Sequence, residues 1–311
     1  MEIMRKVHLV SGAEPLLFDI ALAIREKGYE VSVSGNNFTS EMVDRLIQSG
    51  CTFHGEGWFP EKMTKDINFV VLGSTVNKDN PELIRAKELG LLIQSIPEFI
   101  YQRVKEKTRV VVAGTRGKKT ILSMVSYVLL KQKTVFDYAL TSKTSVLPNQ
   151  VRMDYESRIA LIEGDELITS ALEQRVRMEF YRPHIAVLTN ILFEQSKDYQ
   201  SLESYQDTYK SFIASIEREG KLIYFSGDET VDRFAKNIRE DITAMPYEQH
   251  AVEEEEGNTI LSTRYGKFPV YIPDAYFLVN MNAARLICRQ LGVKDANFYQ
   301  AISEYSLSLQ P

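Results

Sequence analysis

The sequence predicts an α/β fold built on parallel sheets. Two observations carry that prediction. Short apolar strands alternate with amphipathic helices over residues 6–94, which argues for parallel strands joined by right-handed crossovers. Residues 109–131 then read RVVVAGTRGKKTILSMVSYVLLK: a strand, a glycine–lysine loop and a helix in direct succession. Val110 to Ala113 form an apolar strand, while Ile121, Leu122, Met124, Val125, Val128 and Leu129 repeat at helical spacing.

In the first part of the chain, residues 6–10 read as a strand and 16–27 as an amphipathic helix stopped by Gly28. Residues 30–33 are the next strand, 41–49 a helix closed by Gly50, and 52–54 a short strand. An apolar strand at 67–72, a helix at 81–89 capped by Gly90 and a strand at 91–94 follow. The charged stretch 101–107 reads as a helix end or linker, which sets the expected domains at 1–106 and 107–311. Beyond the glycine–lysine loop, strands are expected at 158–162, 183–189 and 221–225, and helices at 202–216, 231–238, 277–291 and 297–305. Residues 259–263 and 268–272 look like a hairpin turning at Tyr265 and Gly266, and the acidic run at 253–256 like a solvated loop.

Composition narrows the function classes. The chain has 311 residues, 44% hydrophobic and 25% charged, an ordinary globular composition with room for two cores. A net charge of −5 argues against a general nucleic-acid binder, so any anion site has to come from local charge. Cys51 and Cys288 lie far apart and read as free thiols of a reducing compartment. No apolar run approaches the length of a membrane span. The N-terminal MEIMRKVHLVSG reads as a strand rather than a signal peptide, so a cytoplasmic protein is expected, with oligomeric state open.

The loop carries the chemistry. Gly114, Thr115, Arg116, Gly117, Lys118, Lys119 and Thr120 stand between strand and helix, the context that turns a loose glycine–lysine pattern into a phosphate-binding loop. Glycines let backbone N–H groups approach an anion, and the helix N-terminus adds partial positive charge. Lys118 would reach the outer phosphates. The competing reading is a tight turn with solvated lysines. Such a loop wants Ser or Thr directly after its Gly-Lys pair, to ligate magnesium, and Lys119 stands there instead. Thr120 offers a hydroxyl one residue later, about 100° further round the helix. Three outcomes stay open: the loop uses Thr120, Lys119 replaces part of the metal's charge, or metal-nucleotide binding is weakened. Glu163, Gly164, Asp165 and Glu166 arrive at the carboxyl end of the 158–162 strand, where an acid facing the loop is a candidate magnesium ligand or a solvated turn. After the first strand, Ser11, Gly12, Ala13, Glu14 and Pro15 make a poor diphosphate turn, because Glu14 would repel a phosphate. The four histidines, His8, His54, His184 and His250, show no metal-ligand spacing, and His184 reads as structural.

Taken together, VHLVSG, GSTVNKDNPELIRAKELG at 73–90, VVVAGTRGKKT at 110–120, ALIEGDE at 160–166, FYRPHIAVLTNILF at 180–193 and NAARLICRQLGV at 282–293 resemble the Mur ligase family. The segments fall in family order across nearly the whole chain. The resemblance implies a Rossmann-like UDP-sugar-binding domain, a P-loop NTPase-like central ATP-binding domain, and a third domain that would begin where this chain ends at Pro311. It implies ATP and Mg2+, nucleotide and UDP-sugar ligands, and ATP-dependent amide bond formation through an acyl phosphate in peptidoglycan precursor synthesis or recycling. Lys118 matches the phosphate-binding lysine, Glu163 a magnesium ligand and Asn282 an adenine contact. Ser11, Gly12, Ser34 and Ser74 fall at the UDP-sugar positions. Departures cluster on function. Arg116 and Lys119 replace a histidine and a threonine of the loop, Gln195 a metal-binding histidine, and Leu278 and Val279 the histidine and asparagine before Asn282. Gly35 stands where an aspartate is expected. That pattern also fits a paralogue whose catalysis is altered or lost, kept for a binding, regulatory or scaffolding role. An unrelated P-loop kinase fits less well, since kinases have no need of the N-terminal half.

Overall fold

A computed structural model describes residues 5–170, 173–196 and 198–310, so the expected strand character of residues 1–4 lies outside the described residues. The first unit runs β1 (Lys6–Val10), α1 (Pro15–Glu26), β2 (Glu30–Ser34), α2 (Ser40–Ser49), β3 (Thr52–Phe53), β4 (Phe69–Leu72), α3 (Pro81–Glu88), β5 (Leu92–Ser95) and α4 (Ile96–Val104). Its five strands are all parallel, in the order β3-β2-β1-β4-β5. The chain leaves β1 for one side and returns on the other, so the crevice at the carboxyl ends of β1 and β4 is a topological switch point. Local signals start and stop the helices. The Thr39 hydroxyl caps α2, Gly50 ends it in the left-handed region, and Asn80 caps α3. Ser95 and Glu98 form a reciprocal capping box on α4.

The larger unit contains β6 (Thr108–Ala113), α5 (Lys118–Lys131), β7 (Asp137–Ala139), β8 (Val151–Arg152), β9 (Ile159–Glu163), β10 (Ile168–Ser170), β11 (Glu173–Val176), β12 (Ile185–Leu188), α6 (Leu202–Ala214), β13 (Lys221–Phe225), α7 (Glu229–Ala235), β14 (Thr243–Tyr247), β15 (Glu253–Glu255), β16 (Asn258–Thr263), β17 (Gly266–Pro269), α8 (Phe277–Gln290) and α9 (Asp295–Leu307). Its main sheet has the order β14-β13-β12-β6-β9-β7-β8, parallel except for the β7–β8 edge pair. β6 is the middle strand and is fully apolar from Val110 to Ala113, as a strand covered by helices on both faces must be. On one face α5, α8 and α9 bury Ile121, Met124, Val125, Phe277, Met281, Ile287 and Ile302.

Several expectations shift. The acidic run at 253–256 is not a solvated loop: Glu253 to Glu255 form β15 and pair antiparallel with β16, making the hairpin three-stranded. Its charges stay in water while the backbone pairs, a combination that charge density alone does not forbid. The stretch 101–107 is mostly the end of α4, which starts at Ile96 behind a cap that apolar periodicity does not signal. Strands β7, β8, β10, β11 and β14 are too short or too polar to stand out in the sequence.

Arg109 fastens the two units. It is 2% exposed, and its guanidinium donates to the Tyr181 and Arg182 carbonyls at 2.9 and 3.0 Å, to the Lys105 and Lys107 carbonyls, and to Glu217 at 3.0 Å. Burial lowers its pKa, yet five acceptors keep the charge satisfied. Replacing it with methionine leaves those acceptors without their donor. Arg109→Met is expected to cost roughly 2–3 kcal/mol in denaturant unfolding. An unchanged midpoint would show that water replaces the guanidinium.

Candidate functional site

The carboxyl ends of β6, β9 and β12 meet at one place, and the glycine–lysine loop crosses it. Gly114 has φ 120° and Gly117 φ 89°, both in the region that favours glycine. Space makes the same demand. A Cβ on Gly114 would collide with the Thr189 hydroxyl, and one on Gly117 would lie 2.5 Å from Asn280 Oδ1. The loop is held from β12 by Asn190, whose carbonyl accepts from Thr115 N–H and whose side chain accepts from Arg116 N–H, each at 2.9 Å. Thr115 also donates its hydroxyl toward Leu192 O and contacts the Tyr205 hydroxyl. α5 begins at Lys118, so its free N–H groups point into the loop.

A cavity of about 200 Å³ opens beside that helix start, lined by Arg116, Gly117, Thr120, Asn190, Asn280 and the aromatic group Phe225, Tyr247 and Tyr276. The Tyr247 ring lies against Phe225, 5.7 Å between centroids. Its hydroxyl is buried and has no hydrogen-bond partner among the described residues. Burial alone pushes that phenol well above its ordinary range, so it stays a neutral donor. An apolar-walled slot with a few polar groups suits a planar ring that offers an acceptor.

The predicted residues divide. Gly114, Thr115, Arg116, Gly117, Lys118, Lys119 and Thr120 come together at the loop, and Thr120 rather than Lys119 faces the cavity. Lys119 is exposed, with no ion pair among the described residues. Lys118 Nζ turns back to the Gly114 carbonyl at 2.6 Å and lies 3.6 Å from Glu166. Asn282 stands outside the cavity lining: its amide donates to the Glu248 carbonyl and accepts from Arg285. Asn280 occupies the cavity instead, because residues two apart on a helix face about 200° apart. The sequence signal that could have found it is the helix register itself, set by Phe277, Met281 and Ala284 facing the core.

The magnesium positions do not converge. Glu163 is 4% exposed, and its carboxylate accepts from Thr141 N–H, Ser142 N–H and the Ser142 hydroxyl at 3.0, 3.0 and 3.1 Å. Gln195 is exposed and pairs with Gln200. No group of three His, Cys, Asp or Glu among the described residues could hold a metal. Magnesium needs several oxygen donors. With Lys119 at the hydroxyl position and three of Glu163's acceptor sites already taken, the donors present do not fit it.

Of the four UDP-sugar positions, three meet at the β1–β4 crevice. The Ser11 hydroxyl pairs with Thr75 at 2.9 Å, and Gly12 N–H donates to the Ser34 carbonyl. Ser74 gives both its N–H and its hydroxyl to Glu14, at 2.7 and 2.9 Å. Ser34 is fully buried and its hydroxyl donates to Glu82, away from the crevice. Arg177, which no sequence pattern marks, lies between the crevice and the loop. It donates to Glu14 at 3.1 Å and faces Asp165 at 3.4 Å. Burial raises the Asp165 carboxyl to about 6 in spite of Arg177. His184 accepts a hydrogen bond from Arg109 N–H, a structural role as its strand position suggested.

Comparison with known proteins follows the same geography. The family model described as the Mur ligase middle domain matches residues 112–284, and the one described as the Mur ligase family, catalytic domain, matches 18–108. A UDP-N-acetylmuramate–L-alanine ligase of Carboxydothermus hydrogenoformans is 27% identical over 97% of this chain and 64% of its own length. The corresponding enzyme of Clostridium acetobutylicum is 28% identical over 76% of this chain and 49% of its own length. The chain thus spans about half to two thirds of these relatives. Among solved structures, UDP-N-acetylmuramate:L-alanyl-gamma-D-glutamyl-meso-diaminopimelate ligase of Neisseria meningitides superposes with a TM-score of 0.84, at 19% identity over 97% of this chain and 98% of that one. UDP-N-acetylmuramate-alanine ligase of Thermotoga maritima gives 0.70, at 18% identity over 96% of this chain and 68% of that one. These likenesses carry the fold.

Two outcomes test the site's geometry. Gly117→Ala forces a side chain into a left-handed position against Asn280, and it is expected to cost about 1–3 kcal/mol in denaturant unfolding. An unchanged midpoint would mean that the loop relaxes freely. Asp165 titrates at about 6 when folded against 3.8 ordinarily, so the folded chain holds a proton that the unfolded chain has released. Its stabilising contribution is full below 3.8 and is lost as pH rises through about 6. Asp165→Asn should flatten the unfolding free energy across that window; a slope identical to wild type would assign it to other groups.

Proposed function

The chain belongs to the Mur ligase family, and on that premise we propose that it binds ATP at the Lys118 loop and serves ATP-dependent C–N ligation of a carboxylate. The observation that carries this reading is the cavity at the start of α5, where an aromatic slot adjoins the loop glycines. The base would lie between Phe225, Tyr247 and Tyr276, with the phosphates over Gly117 toward Lys118. The substrate class follows from the relatives' names: a UDP-N-acetylmuramoyl-type acid, in peptidoglycan precursor synthesis or recycling. In this reading residues 1–106 hold the UDP-sugar and 107–311 the nucleotide. The setting is the cytoplasm.

The chemistry is a two-step exchange. A substrate carboxylate oxygen attacks the γ-phosphorus and the bond to the β-phosphate oxygen breaks, giving ADP and an acyl phosphate. An amine then attacks the acyl carbon, and phosphate leaves with the C–O bond pair as the amine gives up its proton. Negative charge spreads over the transferred phosphoryl group, so Lys118 and the N-terminal dipole of α5 act as its electrostatic clamp. Lys118 first has to leave the Gly114 carbonyl and Glu166. No step is assigned to magnesium, whose donors here do not fit.

A second reading has its own support. The three hydrogen bonds that the 141–142 loop gives Glu163 and the exposed Lys119 favour a relative that keeps nucleotide binding without ligation. Calorimetry with ATP separates the cases. Binding in the micromolar range, roughly −8 kcal/mol, is expected, and it should fall at least about tenfold in Lys118→Met. No binding would remove the ATP reading. The affinity should be nearly the same with and without magnesium, and Lys119→Thr should introduce a magnesium dependence. A strong dependence in the wild-type chain would show that its donors do assemble around the metal. Release of phosphate on adding a muramoyl acid and an amine would favour ligation over the second reading.

A further inference from the structure

The β1–β4 crevice already holds an anion. Glu14 stands at the N-terminal end of α1, and its carboxylate lies over the switch point where an open parallel sheet takes its ligand. Oε2 accepts from the Ser74 backbone N–H at 2.7 Å and from the Ser74 hydroxyl at 2.9 Å. Oε1 accepts from Arg177 at 3.1 Å. A main-chain N–H, a hydroxyl and a guanidinium converging on two oxygens beside a helix start are what a phosphate group would receive there. The backbone is shaped to bring them close. Ser11 has φ 69°, a conformation that a non-glycine residue seldom adopts. A Cβ on Gly73 would sit 3.1 Å from Glu14 Oε2, and one on Gly35 3.1 Å from the Ser11 backbone. The crevice is therefore built tightly around a carboxylate supplied by the chain itself.

Arg177 gives the second, independent observation. Its side chain is 5% exposed, and it comes from the larger unit, just after β11. Its Nε–H is buried with no hydrogen-bond partner among the described residues. Glu14 and Asp165 meet the other two nitrogens, so the Nε–H is left over at the junction of crevice and loop. A buried guanidinium with a spare donor fits a larger anion than the one carboxylate that reaches it.

We propose that Glu14 is an internal stand-in for the diphosphate of a nucleotide-linked substrate, and that this residue sets which anions the crevice admits. A diphosphate enters only by displacing the Glu14 carboxylate from Ser74 and Arg177. The affinity of the crevice for such a ligand is then the difference between the bonds it makes and those that Glu14 gives up. Displacement also exchanges one of the two acids on Arg177 for the ligand, so filling the crevice changes a contact between the two units. The inference rests on the reading of the first unit as the holder of a UDP-linked acid, and it adds the residue that decides whether the diphosphate is accepted.

The test uses uridine diphosphate as the probe, on the intact chain, with binding followed by calorimetry. Glu14→Ala should bind uridine diphosphate at least about tenfold more tightly than wild type. Glu14→Gln keeps the shape and an acceptor for Ser74 but gives up the charge on Arg177, and it should fall between the two. Arg177→Met added to Glu14→Ala should abolish the gain, since the guanidinium then no longer meets the diphosphate. Thermal unfolding of each variant controls for folding; if Glu14→Ala is not folded, the Gln variant carries the comparison. Equal affinity in wild type and the Glu14 variants, or no binding by any of them, would overturn the proposal. ATP binding at the Lys118 loop is measured on the same samples. Its loss would count against the ATP reading, while the uridine diphosphate affinities alone decide the role of Glu14.

Discussion

The chain has to leave β6 through two left-handed residues, and most of the molecule is arranged around that exit. Gly114 and Gly117 are pressed by Thr189, Asn190 and Asn280 so closely that a single added carbon collides. Those neighbours come from β12 and α8, which reach the loop only because β6 is the middle strand and α8 packs against α5. The parallel order of the sheet brings the carboxyl ends of β6, β9 and β12 to the same rim. Loop, acid turn and asparagine therefore meet without any long connection. The N–H groups of the first turn of α5, which have no helical partner, point into the loop.

Two buried arginines tie this rim to the first unit by different means. Arg109 works mainly through carbonyl oxygens, with Glu217 its one carboxylate, and its acceptors lie on both sides of the junction between α4 and β6. That bond set is structural and neutral to ligands. Arg177 works through carboxylates, Glu14 on one side and Asp165 on the other. Carboxylates compete with phosphates for a guanidinium, while carbonyls hardly do. The first contact holds the units together, and the second is the one that a ligand can disturb.

The polar groups of the site are occupied by the chain itself. Lys118 rests on a carbonyl, Glu163 on two backbone N–H groups and a hydroxyl, and Glu14 on Ser74 and Arg177. Buried donors and acceptors left unpaired are costly, so a folded chain without ligand satisfies them internally. Each ligand contact is then an exchange of partners, and net affinity is the difference between two sets of hydrogen bonds. The Tyr247 hydroxyl and the Arg177 Nε–H are exceptions, buried with no partner among the described residues and so nothing to exchange.

Local patterning was enough to specify the parallel α/β architecture and the place of the glycine–lysine loop between β6 and α5, and the order of the resembling segments pointed to the family. Apolar runs, glycine stops and the strand–loop–helix succession are legible because each element must bury one face. The same patterning did not reveal the short strands β7, β8, β10, β11 and β14, whose pairing is set by their neighbours rather than by their own residues. The resemblance pointed to Asn282 on α8, and the face of α8 that packs on α5 turns Asn280 into the cavity. The meeting of Glu14 with Ser74 and Arg177, residues 60 and 163 positions away, exists only in the folded chain. Charge in the sequence says that Glu14 repels phosphate. Which donors it occupies depends on where two sheets and a turn between them are brought together.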